Sequence, residues 1–344
     1  MRIGLLASVS EHLDSFWIEI VERWESRGHQ VFLAAGNEGK SGRVEVLNGV
    51  GRRPSVRSLL GPAAVNRWVR EHDLEVVLTN TATSSMIARL APLTVPVVYF
   101  AHGFHWSRGR SASNLLWKSL EYSAVSRTRG FICLNDDDEK WLAGKVANDS
   151  VLRLPFGVGL DTSRFSYSPA PQGFEYCWIG EFSARKRPDH AVRVISRLRQ
   201  LMPNARLKML GKGDLFESAV RLAADLDLED AIDFVGFADP VEYLSASAGL
   251  IHTATWEGLP RVTLEALAVG RRVYAYPVKG LGMLPNTYLS AQEEPDSLAL
   301  AVWQASRSEV VPMTRARMSD VDYRTAADRI EHFLLRMKAD TSKW

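Results

Sequence analysis

The chain has 344 residues, about twice the length of a typical single domain, and therefore predicts two domains. Hydrophobic residues make up 46% of the sequence and charged residues 24%, which is ordinary for a globular protein with full cores. A net charge of +2 does not favour a nucleic-acid partner, and no stretch approaches the ~18 uninterrupted apolar residues of a membrane-spanning helix.

The first residues predict a parallel βαβ unit. A strand over Ile3 to Ala7, a helix from about Leu13 to Arg27 and a strand over Val31 to Ala35 follow one another. Acidic residues follow the first apolar run directly, so this run predicts a buried strand rather than a secretion signal. The turn after it lacks G-x-G-x-x-G, which disfavours a dinucleotide-binding dehydrogenase.

The alternation of strands and helices continues through the first half of the chain. Short apolar runs are separated by helical patterns at Val76 to Leu78, Val97 to Phe100, Phe131 to Leu134 and Val151 to Leu154. Strands of this kind are typical of a parallel sheet covered by helices on both faces. The fold class is therefore α/β.

A polar segment from Gly36 to Pro62 reads as a loop. Arg52, Arg53 and Arg57 in it have two interpretations. They are solvated charges, or they form a basic rim near an anionic membrane or a lipid-linked pyrophosphate, where each cation contributes about 1 kcal/mol.

Neither the acidic cluster nor the cysteines predict a metal site. The run from Asn135 to Glu139 precedes a helical pattern, and Asn and Asp at that place favour capping of a helix N-terminus. Cys133 and Cys177 are 44 residues apart in apolar stretches, which indicates a reduced, cytosolic chain.

His102 and Gly103 follow a predicted strand. They therefore lie at the carboxyl edge of a parallel sheet, where α/β proteins bind ligands. A structural role for a lone histidine is the alternative.

The predicted domain boundary lies near residue 165. A linker rich in Pro, Ser and Gly runs from Ser166 to Gly173, and the strand and helix alternation then restarts. Strands are predicted at Tyr176 to Gly180, Leu207 to Leu210 and Ile232 to Val235. The predicted domains are 1–165 and 166–320, followed by a C-terminal helical segment over 321–344.

An Arg185-Lys186 pair lies in a predicted loop between a strand and a helix. Such a pair can hold a pyrophosphate, because Arg offers a planar fork and Lys a point charge. A solvent-facing run of charges is the alternative reading.

Two glutamates bracket a predicted helix start. Glu257-Gly258-Leu259-Pro260 reads as a turn, and the helix from Arg261 to Val269 carries Glu265. Gly258 allows close approach of a ligand, and the free amides at the helix start attract phosphate or sugar oxygens. Alternatively, Glu257 complements the helix dipole and Glu265 is a solvated surface residue.

Several of these segments resemble the family 4 retaining glycosyltransferases. The turn at Glu257 and the helix to Ala266 match their EGLP…LEA segment, and GEFSARKRPDH from Gly180 is similar to their GEL…RKN motif. AHGFHW from Ala101 is similar to the HGFHF segment of polysaccharide glycosyltransferases, where His105 also matches. Several features depart from the pattern. No glycine-rich loop follows the first strand, Glu181 stands where many relatives have Arg, and Phe156, Ala254 and Arg272 replace the more usual Pro, Ser and Pro.

The resemblance implies a role for each matching residue. His102 lies against the donor sugar, Arg185 and Lys186 neutralise the nucleotide diphosphate, and Glu257 holds the sugar with nearby amides. Glu265 accepts hydrogen bonds from the ribose. The implied catalytic set is His102, Arg185, Lys186 and Glu257, and the implied donor-binding set is Gly103, Phe237, Gly258, Leu259 and Glu265.

The resemblance also implies the GT-B fold, with two Rossmann-like domains facing a cleft and a last helix that crosses back to the N-terminal domain. The implied reaction is retaining, metal-independent transfer of a hexosyl or N-acetylhexosaminyl group. The donor is a nucleotide-diphosphate sugar, most commonly of UDP, and the acceptor is a saccharide or polyprenyl-diphosphate-linked saccharide in surface polysaccharide biosynthesis. Neither a cofactor nor a nucleic-acid partner is expected, and the location is cytoplasmic, with membrane contact as a hypothesis.

Three alternatives stay open at this point. A phosphorylase of the same fold needs a pyridoxal site. A sugar-nucleotide epimerase shares the fold without needing an acceptor. A catalytically inactive nucleotide-sugar-binding module is the third.

Overall fold

The computed structural model describes residues 1–104, 112–278, 280–282, 284–308 and 319–339, without the side chains of 112–114. His105 lies outside the described residues. The chain divides into two compact units, one formed by Met1–Val158 with Tyr323–Trp344 and the other by Gly159–Asp322.

The first unit is built on a parallel sheet. In its described residues seven strands pair in the order β3-β2-β1-β4-β5-β6-β7, and every pairing is parallel. The strands are β1 Arg2–Leu6, β2 Gln30–Ala35, β3 Val44–Val46, β4 Val76–Thr79, β5 Val97–Ala101, β6 Gly130–Cys133 and β7 Val151–Arg153. The central strands are buried throughout, as expected for a sheet covered on both faces.

Helices connect these strands and cover the sheet. They are α1 Ser10–Phe16, α2 Ile18–Ser26, α3 Gly61–Glu71, α4 Ala82–Leu90, α5 Ala112–Ala124, α6 Asp136–Leu142 and, from the end of the chain, α12 Tyr323–Ala339. Short 3-10 helices lie at Val56–Leu60, Val125–Arg127 and Asn148–Ser150. The strand order reverses between β1 and β4, so the loops that follow these two strands diverge and leave a crevice at the carboxyl edge.

The second unit repeats this architecture. Among its described residues, six parallel strands pair in the order β10-β9-β8-β11-β12-β13. The strands are β8 Glu175–Ile179, β9 Arg206–Leu210, β10 Ile232–Gly236, β11 Gly249–His252, β12 Arg272–Ala275 and β13 Thr287–Leu289. The helices are α7 Pro188–Leu201, α8 Phe216–Asp225, α9 Pro240–Ala246, α10 Arg261–Ala268 and α11 Pro295–Ser306. Here the order reverses between β8 and β11.

The boundary between the units falls seven residues before the predicted position of 165, because the segment after Val158 is tied to the end of the second unit. The Leu160 amide donates to the Val321 carbonyl at 2.9 Å, and the Thr162 hydroxyl donates to Asp322 at 2.5 Å. Helix α12 belongs to the first unit, where the Trp24 indole donates to the Ala327 carbonyl at 3.0 Å.

Two local predictions were wrong. The helix predicted from Leu13 to Arg27 is two helices, because Trp17 breaks the helical backbone at φ −120° and ψ −13°. The segment from Gly36 to Pro62 is not only a loop, since it contains β3, the 3-10 helix Val56–Leu60 and the start of α3.

The predicted helix cap at the acidic cluster is confirmed. Asn135 precedes α6, and its side-chain oxygen accepts a hydrogen bond from the Asp138 amide at 3.0 Å. The acidic residues of this run therefore lie in the first turn of a helix, where they complement the dipole.

Candidate active site

Two loops meet at the carboxyl edge of the second sheet, where the strand order reverses. One follows β8 and carries Arg185 and Lys186, and the other follows β11 and carries Glu257. The Thr255 amide donates to the Arg185 carbonyl at 2.9 Å, and the Thr253 hydroxyl donates to the Lys186 carbonyl at 2.7 Å. These bonds hold the two loops in register.

The two loops bring three of the predicted site residues into contact. One carboxylate oxygen of Glu257, Oε1, lies 2.5 Å from a guanidinium nitrogen of Arg185 and 2.6 Å from Lys186 Nζ. Burial lowers the pKa of Lys186, and the Glu257 carboxylate opposes that shift. Arg185 is the most exposed of the three, and its guanidinium carbon lies 5.6 Å from the centre of the Trp256 ring. Two cations around one carboxylate leave a net positive charge, which suits an anionic ligand.

A cavity of about 660 Å³ opens at the same edge of the second sheet. It is lined by Ile179, Gly180, Glu181, Leu210, Gly211, Lys212, Gly213, Phe237, Ala238 and Pro240. Its volume is within the range of small-molecule sites. Phe237 is 85% exposed, and Lys212 Nζ lies 5.6 Å from the centre of its ring. An exposed aromatic face beside a cation offers a stacking surface for a planar ligand.

Backbone rather than side chains forms one wall of this cavity. Gly211 has φ +133°, and a Cβ there would lie 1.8 Å from the Gly180 carbonyl oxygen. At Gly213, with φ +151°, a Cβ would lie 2.5 Å from the Phe182 carbonyl oxygen. Only glycine allows the loops after β8 and β9 to approach this closely.

Glu265 lies in α10 and is buried, so it is not the solvated surface residue of the alternative reading. Its carboxylate lies 3.3 Å from the Arg261 Nε, one helical turn away. Burial raises the pKa of Glu265, and Arg261 opposes that shift. Gly258 and Leu259 lie half-buried in the turn before the helix, and Pro260 is the residue immediately preceding its first turn.

His102 and Gly103 lie in the first unit, directly after β5. His102 Nε2 lies 2.8 Å from Asn80 Oδ1, and the side-chain nitrogen of Asn80, Nδ2, lies 2.8 Å from His12 Nδ1. Burial lowers the pKa of His102 well below its usual value and that of His12 to about 4, so both imidazoles are neutral at pH 7. Gly103 has φ +120°, which lets the chain turn directly after the histidine.

The sequence did not single out Asn80, His12 or His252 as site residues. Asn80 directly follows β4, and His12 follows β1 in α1, so both lie beside the crevice of the first sheet. His252 ends β11 and its Nε2 lies 3.9 Å from Glu257 Oε1. A polar residue that ends or directly follows a buried strand was the available signal for Asn80 and His252.

The two cysteines form no disulfide with each other. Cys133 and Cys177 are both buried free thiols, and they belong to different units. The described part of the chain contains no group of three or more His, Cys, Asp or Glu side chains arranged to hold a metal ion.

Family models match both halves of the chain. The model described as "Glycosyltransferase Family 4" matches residues 14–162, and the model described as "Glycosyl transferases group 1" matches residues 161–319. The chain belongs to the family 4 glycosyltransferases. Together the matches cover residues 14–319, which include most of both units and the Arg185, Lys186 and Glu257 side chains.

Known relatives agree with this assignment. The glycosyltransferase is 24% identical over 305 residues to the putative glycosyltransferase EpsD of Bacillus subtilis, covering 81% of this chain and 79% of EpsD. It is 22% identical over 239 residues to an Escherichia coli UDP-Gal:alpha-D-GlcNAc-diphosphoundecaprenol alpha-1,3-galactosyltransferase, covering 62% and 61% of the two chains.

A solved structure shares the fold. The crystal structure of Anabaena HepE in complex with UDP is similar to this glycosyltransferase with a TM-score of 0.78 and 19% identity, and the match covers 98% of this chain and 100% of HepE. Together with the two doubly wound parallel sheets, this similarity establishes the GT-B fold.

The substitution Gly211→Ala should destabilise this glycosyltransferase by about 1–3 kcal/mol, because it places a side chain in a strained backbone region against the Gly180 carbonyl. The melting temperature measures the effect. Gly51→Ala is the matched control, since the nearest atom to a Cβ there is 3.9 Å away. Equal melting temperatures for the two variants would contradict the close approach of the Gly211 and Gly180 backbones that forms this wall of the cavity.

Proposed function

We propose that this glycosyltransferase transfers a hexosyl or N-acetylhexosaminyl group from a UDP-sugar to a saccharide or lipid-linked saccharide, with retention of the anomeric configuration. The observation that carries the proposal is the contact of Arg185 and Lys186 with Glu257. As the bond from the sugar to the diphosphate breaks, negative charge develops on the leaving phosphate. Two fixed cations stabilise that charge in the transition state more than in the ground state.

The choice of UDP is supported by the relatives and by the cavity. The HepE structure contains UDP, and the Escherichia coli relative is named for a UDP-galactose donor. In this chain the cavity beside Phe237 receives the base through nearby backbone groups, and Glu265 accepts hydrogen bonds from the ribose hydroxyls. A buried carboxylate whose ion pair is with an arginine of its own helix retains lone pairs for this purpose.

Glu257 and the amides of Gly258 and Leu259 hold the donor sugar in this proposal. His102 covers the other face of the sugar as a neutral imidazole. The acceptor hydroxyl attacks the anomeric carbon from the side of the leaving group. The new C–O bond forms as the bond to the β-phosphate oxygen breaks, the acceptor proton passes to the phosphate, and UDP leaves. Arg185 and Lys186 supply the stabilising charge, so the reaction proceeds without a metal ion.

The acceptor class follows from the same relatives. The Escherichia coli relative is named for a diphosphoundecaprenol-linked acceptor. We therefore propose a polyprenyl-diphosphate-linked saccharide of surface polysaccharide biosynthesis as the acceptor, used by a cytoplasmic enzyme at the cytoplasmic face of the membrane. No helix in the described part of the chain is long and apolar enough to cross a membrane.

Contact with an anionic membrane surface is part of this proposal, and it is placed at the segment between β3 and α3. Val56 is 84% exposed and Leu59 81% exposed, on one short 3-10 helix. Arg52, Arg53 and Arg57 in the same segment are exposed as well, and residues 46–70 contain no Asp or Glu. A short segment with exposed apolar side chains and arginines matches the chemistry of an anionic bilayer surface.

The substitution Lys186→Ala should lower kcat/KM for the donor by more than tenfold, because a charge-assisted contact contributes about 1.5–3 kcal/mol. Release of the nucleoside diphosphate from each donor in a panel of UDP-, GDP- and ADP-sugars measures turnover, and Arg199→Ala provides a control at a surface ion pair. Near-normal turnover of Lys186→Ala would refute the phosphate role.

Product analysis separates this reaction from its rivals. A retaining transferase gives an α-linked product from an α-linked donor, and its anomeric proton signal identifies the linkage. A product formed without acceptor would indicate an epimerase, and UDP-sugar binding without any turnover would indicate a binding module. Pyridoxal absorbance of the pure protein would indicate a phosphorylase.

Replacing Arg52, Arg53 and Arg57 by alanine should reduce co-sedimentation with phosphatidylglycerol vesicles at low salt by at least tenfold, since three cations at about 1 kcal/mol each are lost. Replacing the exposed Arg193, Arg206 and Arg221 of the second unit removes the same charge and should change little. Equal loss in both triple variants would show that net charge alone, not this surface, drives binding.

A further inference from the structure

His252 is a buried imidazole with an unusual environment. It ends β11, is 3% exposed, and follows the apolar Leu250 and Ile251 in the strand. Neither of its ring nitrogens has a hydrogen-bond partner among the described residues. A buried polar group without a partner is destabilising, and an apolar residue at this place would avoid that cost. A partner that forms in another state of the site would remove this cost.

Glu257 is the candidate for that partner. His252 Nε2 lies 3.9 Å from Glu257 Oε1, about 1 Å longer than a typical N–H···O hydrogen bond. The charged groups that face the imidazole are Lys186, Arg185 and Glu257. Burial, reinforced by the two cations, lowers the pKa of His252 well below its usual value. A neutral imidazole keeps one N–H, and this N–H can be donated to a carboxylate.

The present partners of Glu257 are the groups that a diphosphate needs. Arg185 and Lys186 both donate to Oε1 of Glu257. A bound diphosphate competes for the same donors with a larger negative charge. Once the cations turn to the diphosphate, the Glu257 carboxylate loses their hydrogen bonds and lies close to a second anion. The Glu257 side chain is only 12% exposed, so water replaces these bonds poorly. A replacement donor would keep the carboxylate ionised and in place.

We propose that His252 is a positioning residue that donates its Nε2–H to Glu257 when Arg185 and Lys186 bind the diphosphate of the donor. The proposal rests on the proposed function, because it needs a diphosphate at these cations. His252 itself does not touch the substrate. It holds the Glu257 carboxylate in the orientation that binds the donor sugar while the cations serve the leaving group.

A double-mutant cycle on UDP affinity tests this role. His252→Leu removes the donor and keeps an apolar side chain of similar bulk, while His252→Gln keeps an N–H donor. Calorimetry should show UDP affinity at least fivefold weaker for His252→Leu and nearly restored for His252→Gln. In the Glu257→Ala background, His252→Leu should change UDP affinity by less than twofold, because the acceptor that it supports is gone.

Thermal stability and nuclear magnetic resonance distinguish positioning from a structural role. Without UDP, His252→Leu should melt at the same or a higher temperature than the wild type, since it removes an unpaired buried polar group. In the wild type, UDP should shift the ring ¹⁵N resonances of His252 as Nε2–H gains an acceptor, and this shift should be absent in Glu257→Ala, which has no side-chain acceptor. The resonance measurement also covers the case in which His252→Leu does not fold.

The outcomes separate this inference from the proposed function. If wild-type protein binds no UDP, the proposed donor is wrong. If the wild type binds UDP and His252→Leu binds it with equal affinity, the positioning role is wrong. The role is also wrong if His252→Leu lowers UDP affinity by the same factor with and without the Glu257 carboxylate. Unchanged ring resonances on UDP binding would contradict it as well.

Discussion

The Glu257 carboxylate and the two cations that converge on it are the interaction on which the rest of the site depends. Arg185 and Lys186 are similarly charged neighbours in one loop, and without a carboxylate between them they would repel each other. Glu257, from a different loop, brings both within 2.6 Å of a single oxygen. Both cations are thereby held next to each other before any ligand arrives. Once they have turned from Glu257 to the bound diphosphate, little further reorganisation is needed when the leaving group develops its charge.

The fold supplies this arrangement through strand order. Strands β8 and β11 are neighbours at the point where the strand order of the second sheet reverses. The loops that follow them therefore meet at one edge. Thr253 and Thr255 then tie the two loops together through backbone carbonyls. Gly211 and Gly213 allow the loop after β9 to pack against the loop after β8, and these two loops line the cavity at this edge. The first unit uses the same device at β1 and β4, where Asn80 joins His12 and His102.

Much of this could be predicted from the sequence, for a physical reason. Short apolar strands alternating with amphipathic helices indicate parallel sheets, and residues that follow such strands lie at one edge. Arg185, Lys186 and Glu257 could therefore be expected to converge although 72 residues separate the first from the last. His252 could not be found this way, because its significance lies in being buried without a partner, which is a property of packing. The break at Trp17 and the early domain boundary depend on tertiary contacts that no local pattern contains.

The comparison of UDP with UMP binding tests the central claim most directly, because the two ligands differ by the one phosphate that the cations are proposed to hold. Calorimetry on the wild type and on the Arg185→Ala, Lys186→Ala double variant gives the ratio of the two affinities in each protein. We expect the wild type to prefer UDP by at least tenfold, equivalent to about 1.4 kcal/mol, and the double variant to lose most of this preference. An unchanged preference in the double variant would show that the second phosphate is held elsewhere, and not by Arg185 and Lys186.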